Sequence, residues 1–168
     1  MSLVNSFDWR AAVDEARKVL VDKGFPIPKK PNIALSEMVY PTDIAGVNDI
    51  PLANLCARFN AWYAFATTSV AFKKAEYAAL DEVFEVNVAE RIYALGKTFD
   101  GKTPAKDVLR GEILTTDSDM AILFTQRIKL GQEIQTLEGL TKGLEIQVWS
   151  LRDEQIRRAS ARKLESHM

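Results

Sequence analysis

Apolar residues recur along this chain at steps of three and four, the period of a helix with one buried face. Near the N-terminus Trp9, Val13, Ala16 and Leu20 form one such stripe. Ser6 is placed to cap that helix, and Gly24 to end it in a left-handed conformation. Pro26, Pro28, Pro31 and Pro41 follow, which favours extended backbone and removes helix donors. Residues 1–48 therefore read as a short helix on an irregular arm, from which Ile33, Leu35, Met38, Val39 and Tyr40 can dock on a neighbouring surface.

A second helix is predicted from about Asp49, with Pro51 tolerated in its first turn and Gly96 as its stop. Leu55, Phe59, Trp62, Ala66, Val70, Tyr77, Leu80, Phe84, Val88, Ile92 and Leu95 keep the period, broken only where Lys73 stands. At about 1.5 Å per residue its length comes to roughly 65–70 Å. A connection with Gly101 and Pro104 reads as a turn, and residues 108–114 as a further short helical stretch.

The last helix opens at residues 115–119, where Thr116 or Asp117 can accept backbone N–H bonds. Leu123, Leu130, Leu137, Leu144 and Leu151 then lie seven residues apart, with Ile134 and Val148 as companions three residues before Leu137 and Leu151. Arg127, Thr141 and Gln155 hold the other companion positions and penalise wrong registers. Ile128, Trp149 and Ile156 widen the apolar face beyond a two-stranded seam, and Gly131, Gly139 and Gly143 permit close backbone approach. The expected fold is all-α: a long antiparallel helical hairpin over residues 49–163, preceded by the N-terminal helix and arm. A lone hairpin of that length leaves much apolar surface wet, so it is expected to assemble with copies of itself through Leu123, Leu130, Ile134, Leu137, Leu144, Val148 and Leu151.

Composition narrows the chemistry. The 168 residues contain one cysteine, Cys56, which excludes an internal disulfide and suits a reducing cytoplasm. In its helical setting Cys56 reads as a small buried hydrophobe. No run approaches a membrane span, and the first residues do not resemble a signal peptide, so the expected location is cytoplasmic. Residues 164–168 look like a cloning remnant and hold the only histidine, His167. Without histidine elsewhere, histidine-based triads and metal sites fall away, and no phosphate-binding glycine loop occurs. Asp81, Glu82 and Glu85 read as a solvated acidic face, and Asp117 and Asp119 as caps rather than cation ligands. The expectation is a non-enzymatic protein with no metal and no cofactor.

The net charge of −1 does not point to nucleic acid, but the charges are unevenly placed. Glu76, Asp81, Glu82, Glu85 and Glu90 make an acidic stretch, whereas Lys97, Lys102, Lys106 and Arg110 cluster in the central connection. Arg152, Arg157, Arg158, Arg162 and Lys163 make the C-terminus basic. Such runs are commonly solvated faces. Phe99, beside Lys97 and Lys102, is a candidate for stacking on a base.

Three short motifs carry a resemblance. Asn54, Phe59 and Trp62 form an Asn-x4-aromatic-x2-Trp pattern. Ile113 to Asp119 read Ile-Leu-Thr-Thr-Asp-Ser-Asp. Leu137-Glu138 and Lys142-Gly143-Leu144-Glu145-Ile146 then precede Trp149. In that order they resemble the UvsY family, the recombination mediators of tailed phages, over roughly residues 50–158. The resemblance implies a small helical protein forming ring-like homo-oligomers. It also implies binding to single-stranded DNA and helping a RecA-like recombinase displace single-strand-binding protein. Where that family's helix after the tryptophan is rich in lysine and arginine, residues 79–91 here are acidic. DNA contacts would have to move to Lys73 and Lys74 before that stretch, or to Lys97, Phe99, Lys102, Lys106 and Arg110 after it. The alternative is a structural or adaptor protein whose leucine row binds a protein partner.

Overall fold

A computed structural model describes residues 8–99, 101 and 103–166. Among them the chain is all-helical, with no strand: α1 (Trp9–Asp22), a 3-10 turn at Leu35–Glu37, α2 (Asp49–Gly96), α3 (Lys106–Thr116) and α4 (Ser118–Glu165). The cap of α1 is Asp8, whose Oδ1 accepts from the N–H groups of Arg10 (3.0 Å) and Ala11 (3.1 Å). Ser6, expected in that role, lies outside the described residues. Gly24 ends the helix at φ 81°, a conformation that favours glycine. That turn aims the Phe25 N–H at the Leu20 carbonyl, 3.0 Å away. Asp117 caps α4, its Oδ1 accepting from Asp119 (3.0 Å) and Met120 (3.2 Å). The Thr116 hydroxyl instead donates back to Glu112 within α3. No side chain caps α3, which starts after Ala105.

The chain divides into two compact units, each built from segments that are distant in sequence. One joins Met1–Phe25 to Ala71–Gln135, the other Pro26–Val70 to Thr136–Met168. The reason is that α1 and the arm attach to different stretches of the long helices.

In the first unit α2 and α4 run antiparallel. Leu80 on α2 packs with Leu130 and Ile134 on α4, flanked by Trp9 of α1 and Tyr77. Further along α2, Phe84 and Val88 pack with Ile113 of α3 and Met120 at the start of α4. Each such burial contributes about 1.5–3 kcal/mol. By contrast α1 buries no residue fully. It is held at Trp9 and by the Arg17 guanidinium, 4.9 Å from the centre of the Phe72 ring.

In the second unit Leu52, Cys56 and Phe59 of α2 face Val148 and Leu151 of α4, again antiparallel. Cys56 is buried among them as a small hydrophobe. Met38, Tyr40, Ile44 and Val47 of the arm close over this core, with the Tyr40 ring edge-on to Phe59 at 5.8 Å. Val39, in the same segment, stays exposed. Arg158 of α4 ties the arm down through the carbonyls of Ile44 (3.1 Å) and Ala45 (3.0 Å), and it also pairs with Asp49 at the start of α2 (2.8 Å).

Candidate nucleic-acid interface

The acidic stretch of α2 is largely an internal counter-charge within the first unit. Helical spacing places Glu76, Asp81 and Glu85 where cations of other turns and helices reach them. Lys73 Nζ lies 2.9 Å from Glu76 and 3.4 Å from Glu133 of α4. Arg110 of α3 grips Glu85 with both terminal nitrogens, at 2.9 and 2.7 Å, the two-pronged geometry that guanidinium favours. Arg127 of α4 approaches Glu85 at 3.4 Å and Asp81 at 2.6 Å. The Arg127 Nε–H does not align on Asp81 Oδ1, so that contact is an ion pair without a directed hydrogen bond. Arg110 and Arg127 also stand 5.3 and 5.1 Å from the centre of the Phe84 ring.

Next to this layer the buried Asn87 bridges backbone and side chain. Its Nδ2 donates to the Val83 carbonyl at 2.8 Å, and its Oδ1 accepts from Arg91 at 3.0 Å. Arg91 pairs in turn with Asp117, the cap of α4. These partners set the carboxylate acidities. The Arg110 hydrogen bond holds Glu85 below its ordinary range, and the Arg91 hydrogen bond does the same for Asp117.

The cations expected to contact DNA separate into two places. Lys73 is committed to its two glutamates, which raise its pKa, and it lines a pocket with Trp9 and Arg10. Lys74 beside it is exposed. The other place is the end of α2 and the start of α3. Here Lys97 and Lys106 are exposed and make no ion pair among the described residues. Arg110 lines the same groove as Lys106 but is held by Glu85. Phe99 is 38% exposed on the connection, and Lys102 lies outside the described residues.

Tyr93 is the residue that sequence reasoning missed. It is 68% exposed, lines the groove with Lys106 and Arg110, and carries Lys97 Nζ at 4.1 Å from its ring centre. The signal was present: Tyr93 falls between the core positions Ile92 and Leu95 and four residues before Lys97, on the same helix face. The groove has a volume of about 450 Å³ and an apolar floor of Val88, Ala89 and Ile92.

The residues expected to join copies of the chain are used first within it. Leu130, Ile134, Val148 and Leu151 are buried in its own cores, and the half-buried Leu123 and Leu144 pack against those cores. Leu137 is half-buried as well. The apolar side chains that α4 leaves in solvent are others: Ile122, Ile128, Leu140, Ile146, Trp149, Ile156 and Leu164. Gly139 and Gly143 face open space, so the close approach expected of them does not occur inside the chain. Among the described residues no cluster of His, Cys, Asp or Glu is placed to hold a metal ion, and no helix is long and apolar enough to cross a membrane.

Compared with models of known protein families, with curated proteins and with solved structures, the chain matches none.

Proposed function

We propose that this chain is a recombination mediator of the UvsY kind. As a homo-oligomer it binds single-stranded DNA and helps a RecA-like recombinase take the place of single-strand-binding protein. The observation that carries the reading is the internal pairing of the acidic stretch. With Glu76, Asp81 and Glu85 bound to Lys73, Arg127 and Arg110, that stretch presents less negative charge to a DNA strand than its sequence suggests. Lys97 and Lys106 remain in solvent near the exposed ring of Tyr93, and Phe99 is exposed two residues after Lys97. Cations along a path together with aromatic faces are what a sequence-tolerant single-strand site requires. One chain offers few contacts, so useful affinity comes from several copies acting on one strand. The surface row Ile146, Trp149 and Ile156 on α4 is the apolar face through which copies join. The chemistry is binding alone and needs no cofactor.

The test is the ATPase rate of a RecA-like recombinase on DNA already coated with single-strand-binding protein. Adding this protein is expected to shorten the lag before ATP hydrolysis. An unchanged lag at concentrations that saturate bare DNA would contradict a mediator role. The same α4 row also favours a second reading, an adaptor that binds a partner helix. Under it the protein would be retained by a protein partner and would leave single-stranded DNA unbound even at low salt.

A further inference from the structure

The groove between the end of α2 and the start of α3 combines features that a plain phosphate-binding surface does not need. Its floor is apolar, from Val88, Ala89 and Ile92, and Tyr93 and Lys106 also line it. A phosphate gains nothing from aliphatic side chains, whereas an unstacked nucleobase does. Its volume of about 450 Å³ falls within the roughly 300–1,000 Å³ of small-molecule sites. Tyr93 is a large ring held mostly in solvent on a regular helix. Lys97 covers one face of that ring, which leaves the opposite face for a base and keeps an ammonium next to the strand that carries it.

We propose that this groove is a nucleobase subsite: one base of a single strand lies against Tyr93 and the aliphatic floor, with its flanking phosphates on Lys97 and Lys106. The inference rests on the single-strand-binding reading above and adds to it a contact to the base itself. Charge distribution sets the orientation. Asp107, exposed in the lining, repels phosphate, while Lys106 in the lining and Lys97 beside Tyr93 attract it. The Asp107 carboxylate accepts hydrogen bonds from ring and exocyclic N–H groups of a base. Because every base presents a π-face, the subsite tolerates sequence, but it discriminates against a strand that has no bases.

The experiment compares Tyr93→Ala and Tyr93→Phe with the unaltered protein on a labelled oligo-dT and on an abasic strand of equal length. Affinities are read by anisotropy across a salt series. Circular dichroism confirms folding, which an exposed position is expected to preserve. Tyr93→Ala is expected to weaken oligo-dT binding by roughly fivefold to a hundredfold, the range that stacking on one base supports. Tyr93→Phe retains binding. On the abasic strand the alanine variant and the unaltered protein bind alike, and the salt slope is the same for all three proteins because the ring carries no charge. If Tyr93→Ala binds oligo-dT as well as the unaltered protein does, the base subsite is overturned and the single-strand reading stands. An equal loss on both strands also overturns it, and assigns Tyr93 to positioning Lys97. If the unaltered protein binds neither strand, the subsite and the reading beneath it both fall.

Discussion

Phe84 is the point on which three helices of the first unit converge, so shortening it probes that convergence directly. The ring is fully buried, packs with Ile113 of α3 and Met120 of α4, and lies 5.9 Å from the Phe124 ring. Removing a buried phenyl group costs about 3–5 kcal/mol, from lost transfer energy and the cavity left behind. Arg110 and Arg127 stand over the ring, and each partly exposed guanidinium adds about 0.5–1 kcal/mol. Phe84→Ala should therefore destabilise by about 4–7 kcal/mol, a large share of the roughly 5–15 kcal/mol that holds a domain together. Phe84→Leu keeps most of the volume and loses chiefly the ring contacts, so about 1–2 kcal/mol is expected. Urea unfolding followed by far-ultraviolet circular dichroism reads both variants. With a denaturant slope of about 2 kcal/mol per molar, the alanine variant should unfold about 2–3.5 M earlier. A midpoint shift below about 0.5 M for Phe84→Ala would refute the reasoning, because a fully buried ring cannot be removed so cheaply.

Three other outcomes follow from the same geometry. Glu85→Gln releases Arg110 and Arg127, so single-strand affinity should rise and the salt slope steepen by about 0.7 for each further phosphate that is neutralised; unchanged binding in anisotropy titrations would contradict this. The stability cost of that change should stay below about 1 kcal/mol, because the Glu85–Arg110 pair is more than one-third exposed and water screens it. Stability should also fall with acid: Glu85 and Asp117 titrate below their ordinary 4.5 and 3.8 in the folded chain. Their contribution is complete above those values and lost as pH drops through the lowered folded values. Thermal unfolding between about pH 6 and pH 3 checks this, with Glu85→Gln expected to flatten the dependence. Finally, Trp149→Ser combined with Ile156→Ser should lower the mass seen by light scattering while leaving ellipticity intact, since both side chains are more than half exposed; an unchanged mass would remove that face from assembly.

Helix content was legible because each helix carries local instructions. The apolar period, Pro51 in a first turn, Gly24 at φ 81° and Asp117 as a cap are all set by residues within a few positions of where they act. Pairings between distant segments were harder to read. A leucine every seventh residue is equally consistent with a neighbour in the same chain and one in another, and here Leu130 and Leu151 face α2. The acidic stretch misled for a similar reason: in sequence Asp81 and Glu85 are charges on one helix, but Arg110 and Arg127 reach them from α3 and α4. Tyr93 escaped notice because a tyrosine one position off a core row is indistinguishable from a buried ring until its exposure is known.

The central claim is that this chain holds single-stranded DNA through cations at the end of α2 and the start of α3. Its most direct test is the anisotropy of a labelled single-stranded oligonucleotide, titrated at low and moderate salt with the unaltered protein and with Lys97→Gln combined with Lys106→Gln. The account predicts tight binding at low salt that weakens steeply as salt rises, poorer binding of duplex, and a shallower salt slope for the double variant. Absence of binding at low salt, or a double variant that binds as the unaltered protein does, would contradict it.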